Sequence, residues 1–141
     1  MTDPALDDAY RGTTYSVLMP EGSLLALRIG ERSAPLDRLL AATGHDDWAF
    51  VTACNPRSTR LDALENAERM ARLAETVQAR GLRAIPGESR GDGGDWPAES
   101  SLLVLGIGEP DAIELGRLFD QHAIVAGSRG GPPRLVWIPL A

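Results

Sequence analysis

Trp48-Ala-Phe-Val-Thr-Ala-Cys-Asn-Pro-Arg-Ser-Thr59 joins an apolar strand to a polar turn, and the turn opens a long helix. Residues 48–54 are apolar on both faces in part, as a strand central to a sheet is. Sheets of α/β type present ligands where a strand ends and a helix begins, with backbone amides and short polar side chains. This stretch therefore decides the fold class and is the first place to look for a site.

Toward the N-terminus, residues 36–42 form a short helix, capped by Ser33, with Pro35 in its first turn and Gly44 as its stop. Residues 13–19 and 24–29 read as two strands joined by the turn Pro20-Glu-Gly22-Ser. Residues 1–9 read as a loose leader. Toward the C-terminus, the main helix starts near Thr59, with Asp62 three positions on in the manner of a capping box, and stops at Gly81. A short strand at 83–85 and a polar loop over 87–99 lead to a strand at 101–107. Pro110 opens a second helix to about Asp120, and strands at 124–126 and 135–138 follow. From residue 48 the order is strand, helix, strand, strand, helix, strand. It predicts an α+β fold: a two-layer sandwich of a mostly antiparallel sheet and two main helices. Its core is a ferredoxin-like βαββαβ unit with extra N- and C-terminal strands, in one domain over residues 10–141.

The chain has 141 residues, 43% of them hydrophobic and 24% charged, enough for one buried core. A net charge of −6 argues against general nucleic-acid binding. All 14 basic residues are arginine, so no lysine can serve as Schiff-base or general-base group. No apolar run approaches the ~20 residues of a membrane span. The acidic start lacks the apolar run of a secretory signal, and a single cysteine, Cys54, makes no internal disulfide; together they predict a cytoplasmic protein.

On the main helix, Ala63, Ala67, Met70, Ala74 and Val77 fall on one apolar stripe, and Asn66 falls with them. A buried asparagine that leaves its amide unsatisfied costs about 1–3 kcal/mol. Its natural partners are backbone groups of the 55–58 turn or of a neighbouring strand. Glu65 with Arg69 and Glu68 with Arg72 have the i,i+4 spacing of solvent-side ion pairs.

Asn55, Ser58 and Thr59 with the first helix amides could cradle an anion, charge coming from Arg57, Arg60 or Arg69. The same residues also make an ordinary Asn-Pro turn and helix cap. No glycine-rich phosphate loop of the Walker kind occurs. The 87–100 loop reads as a plain loop, as a lid carrying Trp96, or as a hard-metal site of Asp92, Asp95 and Glu99. The spacing does not fit an EF-hand, and no metal or cofactor is implied. Glu99, just before a strand, is the one candidate general base; it could also bind a ribose diol, and could equally cap the main-chain amides of the loop. Gln121, ending the second helix, either ties down helix carbonyls or points at the same site as Asn55. Gly116 permits close helix–sheet packing. Cys54 paired with His45 or His122 would make a nucleophile and base, but a cysteine ending an apolar strand is more simply a small buried hydrophobe.

Several of these residues stand in motifs. Tyr10-Arg-Gly-Thr-Thr-Tyr15, Trp48-Ala-Phe-Val-Thr-Ala with Asn55-Pro56 and Ser58, Glu65-Asn66-Ala67 with Arg69, Glu99-Ser100, and Gln121 before Ala123-Ile124-Val125 together resemble the bacterial domain of unknown function 3293 family. The resemblance runs from about Tyr10 to Trp137. It implies a small single-domain bacterial protein and brings no established activity, cofactor or partner. His122 stands where the family more usually has asparagine, and Cys54 where a bulkier residue is expected.

The residues lead to a protein that binds a small polar ligand, anionic or nucleotide-like, through Asn55, Ser58, Asn66, Arg69, Glu99 and Gln121. Asn66 would brace the turn from behind. Two other readings stand beside it: a protein-interaction module using the Trp96 loop, and a hydrolase or transferase on a nucleotide-like substrate with Glu99 as base.

Overall fold

The computed structural model describes residues 3–94 and 97–139. Within them the chain runs α1 (Pro4–Arg11), β1 (Thr13–Leu18), β2 (Leu24–Leu27), α2 (Ala34–Thr43) and β3 (Asp47–Val51). It continues through α3 (Ala63–Ala79), β4 (Arg83–Gly91), β5 (Glu99–Leu105), α4 (Glu109–Leu118), β6 (Ala123–Ser128) and β7 (Arg134–Trp137). The strands make one sheet in the order β2-β1-β4-β5-β3-β6-β7, every neighbouring pair antiparallel. No helix among the described residues is long and apolar enough to cross a membrane.

Side chains alternate across a strand, and β3 uses both faces. Ala49 and Val51 join Leu73 and Val77 of α3 and Ala112 and Leu115 of α4 in one core. Trp48 and Phe50 join Leu36 and Leu40 of α2 and Val17 and Leu27 of the first hairpin in a second core. The sheet curls over this second core. The Gly30 amide, just past β2, donates to the carbonyl of Pro133, just before β7, at 2.8 Å. The expectation of two layers and two main helices thus falls short. A strand apolar on both faces needs cover on both, and α2 with the curled hairpin supplies the second.

Three further differences bear on the site. Residues 4–9, expected to belong to a loose leader, form α1 together with Tyr10 and Arg11; Asp3 caps it by accepting from the amides of Ala5 and Leu6, with proline in the first turn. The 87–99 stretch, expected as a loop, supplies the second half of the nine-residue strand β4, where polar residues pair with β1 as Ser16↔Glu88 and Tyr15↔Ser89. Helix α3 begins at Ala63, and its capping box is Asp62 with Glu65 rather than Thr59 with Asp62. Its buried residues are Leu73 and Val77, while Ala63, Ala67 and Ala74 are exposed. Leucine and valine remove more apolar area from water than alanine, and the helix is rolled accordingly.

Candidate functional site

At one end of the sheet β3 and β4 finish while β1, β5 and β6 begin. Helix α1 lies across that end and roofs a cavity of about 310 Å³. Leu6, Ala9 and Tyr10 of α1 form the roof, and Tyr15, Phe50 and Ile124 line the walls. Tyr15 and Phe50 meet edge to face with ring centroids 5.4 Å apart. Asn55, Ser58, Glu99, Ser101 and Gln121 make up much of its polar lining.

Helix α1 has no buried residue of its own, so its position comes from its contacts. Tyr15 Oη donates to the Tyr10 carbonyl at 3.2 Å, and Tyr10 meets Trp137 of β7 edge to face at 5.8 Å. At the helix end, Arg28 Nη2 donates to the Arg11 carbonyl at 3.3 Å while the same guanidinium grips both carboxylate oxygens of Asp92 at 3.0 and 2.9 Å. The Asp92 amide in turn donates to the Gly12 carbonyl at 2.8 Å. The Arg28 guanidinium holds the Asp92 carboxyl below the usual aspartate range.

The turn after β3 is strained. Asn55, Arg57 and Ser58 all have positive φ (47°, 50° and 61°), as does Asp120 (57°). Left-handed conformations cost non-glycine residues roughly 1–2 kcal/mol each, less for asparagine. Hydrogen bonds hold the turn in place: Arg57 N to the Asp120 carbonyl at 2.7 Å, Ser58 N to the Asn55 carbonyl at 3.0 Å, and Thr59 N to the Pro56 carbonyl at 2.9 Å. The amides read from sequence as an anion cradle are therefore spent inside the protein. The start of α3 is itself capped by the carboxylates of Asp62 and Glu65.

Behind the turn, a chain of amides fixes which atoms face the cavity. Asn55 N donates to Asn66 Oδ1 at 2.9 Å, and Asn66 Nδ2 donates to Asn55 Oδ1 at 3.0 Å. Asn55 Oδ1 also accepts from Leu61 N at 2.9 Å. With its oxygen so engaged, Asn55 turns Nδ2 to Glu99 Oε2, at 2.6 Å. Asn55 is 8% exposed, a depth at which each of these bonds counts. Gln121, equally buried, donates from Nε2 to the carbonyls of Cys54 and Phe119 at 3.1 and 3.2 Å.

Arg69 is not the solvent-side partner of Glu65 that the spacing suggests. Glu65 serves the helix cap, and Arg69, 16% exposed, turns inward. Its Nε donates to the Ala53 carbonyl at 2.6 Å and its Nη2 to the Phe119 carbonyl at 2.5 Å. It ties the end of β3 to the end of α4. Of the six residues expected at the site, Asn55, Ser58, Glu99 and Gln121 line the cavity, while Asn66 and Arg69 stand behind it as braces.

The two phenols of the cavity hold their protons tightly. Tyr10 is pushed up to about 12, first by burial and then by the negative charge of Glu99. Tyr15 is raised by burial, then by Tyr10 and, more weakly, Glu99. Burial also raises the Cys54 thiol, which is 4% exposed and donates to the Ser100 carbonyl. His45 lies before β3 and Cys54 after it, at opposite ends of the strand, so these two make no catalytic pair. Among the described residues no cluster of three histidine, cysteine, aspartate or glutamate side chains could hold a metal ion. Asp95 and Trp96, named as metal and lid candidates, lie outside the described residues.

Sequence reasoning missed the aromatic wall and its roof. Tyr10, Tyr15 and Phe50 come from three separate elements, and only the fold assembles them. One local signal was available: Asp3-Pro4 has the form of a helix start.

A family model described as "Protein of unknown function (DUF3293)" matches residues 51–124, slightly more than half of the chain. The match includes every expected site residue from Asn55 to Gln121. No curated protein and no solved structure matches the chain.

Proposed function

This chain belongs to the DUF3293 family of proteins of unknown function, and we propose that it binds a small molecule in the cavity roofed by α1. The observation that carries this reading is a cavity of about 310 Å³ whose aromatic walls meet one polar end. Small-molecule sites have this makeup: roughly 300–1,000 Å³, mostly apolar lining, and a few placed polar groups. The polar end is also rigid, since Asn66, Leu61 and Asn55 fix one another before any ligand arrives. Such preorganisation lowers the ordering cost of binding. An anionic ligand finds little support, because the turn amides are spent internally and Glu99 stands at the polar end.

Two coarser expectations fit this reading. The segment from β3 to β6 is taken as a ferredoxin-like core, supported by its strand order β4-β5-β3-β6 with α3 and α4 sharing one core. A free, buried cysteine suits a reducing, cytoplasmic setting.

A ligand-observed NMR screen of small aromatic and alicyclic compounds tests the proposal against the variant Ala9→Trp. Ala9 is exposed on α1 yet lines the cavity, so an indole there fills the space at little cost to folding. Compounds that bind the wild type are expected to lose binding to Ala9→Trp. Equal binding to both proteins, or no binding compound at all, overturns the proposal.

A further inference from the structure

Resting on the reading of the cavity as a small-molecule site, we infer that its ligand carries a cationic, N–H-bearing head, a protonated amine or amidinium, seated against Glu99. The first argument is the direction of the hydrogen bonds. Asn55 Oδ1 accepts from Leu61 N and Asn66 Nδ2, which leaves Nδ2 to donate to Glu99 Oε2. An ionised carboxylate is acceptor-only and can take up to about four hydrogen bonds. Gln121 spends Nε2 on the carbonyls of Cys54 and Phe119, so its carbonyl oxygen is what it can offer the cavity. Thr52 donates its hydroxyl to the Ser100 carbonyl at 2.7 Å and accepts from the Cys54 amide at 3.0 Å, so its proton is not offered to the cavity. A ligand head that supplies donors complements the Glu99 carboxylate and the Gln121 oxygen, whereas a carboxylate or phosphate there would meet a like charge.

Charge points the same way. Among the described residues lining the cavity, Glu99 is the one carboxylate, and no arginine is among them. Two arginines that border the site are committed elsewhere. Arg69 is bound to the Ala53 and Phe119 carbonyls with Asp120 4.0 Å away, and Arg28 is bound to Asp92. The field of Glu99 reaches Tyr10, Tyr15 and Cys54, each of which holds its proton more tightly because of it. The walls add a second attraction. Tyr10, Tyr15 and Phe50 present aromatic rings beside the carboxylate, and ring faces draw cations, more strongly where water is excluded.

Three probes of nearly equal size and different head separate the possibilities: 2-phenylethylamine, 2-phenylethanol and phenylacetate. Isothermal titration at neutral pH is expected to give roughly tenfold tighter binding of the amine than of the alcohol, and weaker binding of phenylacetate than of either. In Glu99→Gln the preference for amine over alcohol should collapse. Should that variant fail to fold, the comparison among the three probes on the wild type decides alone. Equal binding of amine and alcohol, with both lost in Ala9→Trp, overturns the cationic head and leaves the small-molecule site standing. Tightest binding of phenylacetate, or binding of none of the three, also overturns it, and the fragment screen then judges the cavity separately.

Discussion

Asn55 and Asn66 close a two-bond ring: the Asn55 amide donates to Asn66 Oδ1 at 2.9 Å, and Asn66 Nδ2 returns a bond to Asn55 Oδ1 at 3.0 Å. The ring sets the orientation of the Asn55 amide, and that orientation delivers Nδ2 to Glu99. Asn66→Asp keeps the acceptor and removes the donor. Asn55 must then flip or face a carboxylate, and a flip turns its oxygen toward Glu99. Urea denaturation is expected to show a loss of about 1–3 kcal/mol. Adding Glu99→Gln to Asn66→Asp should return part of that loss, because a glutamine amide can donate to the flipped oxygen. Strict additivity of the two changes would show that the orientation is not transmitted.

The backbone of Asn55 supports a second prediction. Its φ of 47° lies in the left-handed region, which asparagine tolerates and alanine resists. Asn55→Ala and Asn55→Gly both lose the bonds to Leu61, Asn66 and Glu99. Both should therefore fall below wild type, with the alanine variant lower by about 1 kcal/mol. A glycine variant as stable as wild type would mean that the side-chain bonds contribute nothing.

The residues that were legible in sequence are those whose cause is local. Ser33 and Gly44 bracket α2 through a side-chain cap and a left-handed stop, both readable from residue type and spacing. Asn66 could be tied to the turn because eleven positions separate it from Asn55 across one turn and the first helical residues. Gly116 could be assigned to close packing, and a Cβ there would indeed press on Ile124 and Ile138. What stayed hidden has distant causes. The polar half of β4 is a strand because β1 needs a partner. Helix α1 is placed by Tyr15, Arg28 and Trp137. Arg69 faces inward because carbonyls at 53 and 119 converge on it, and nothing near residue 69 announces either.

Arg69 thus acts as a planar fork between two elements, and lysine cannot reproduce it. Arg69→Ala is expected to cost about 1.5–3 kcal/mol, the range for a hydrogen bond to a charged group. Arg69→Lys should recover less than half of that loss, since one ammonium does not reach the Ala53 and Phe119 carbonyls in the geometry of Nε and Nη2. Thermal or urea unfolding measures both. A lysine variant equal to wild type would show that charge alone suffices.

The last prediction concerns alkaline pH. The chain has two tyrosines, and both line the cavity. Burial, with the charge of Glu99, raises Tyr10 to about 12 and also raises Tyr15. In the unfolded chain both titrate near the ordinary value of about 10. Between these limits the folded state binds more protons than the unfolded one. The stability tied to the neutral phenols is therefore complete below about pH 10 and is lost as pH rises toward 12. A titration followed by phenolate absorbance should show little ionisation at pH 10 while the protein is folded, with tyrosine signal and loss of structure rising together above it. Tyr10→Phe should make the alkaline fall in stability shallower, because one of the two groups that titrate on unfolding is gone. Ordinary tyrosine titration near 10 in a chain that stays folded would mean that α1 does not close over the cavity.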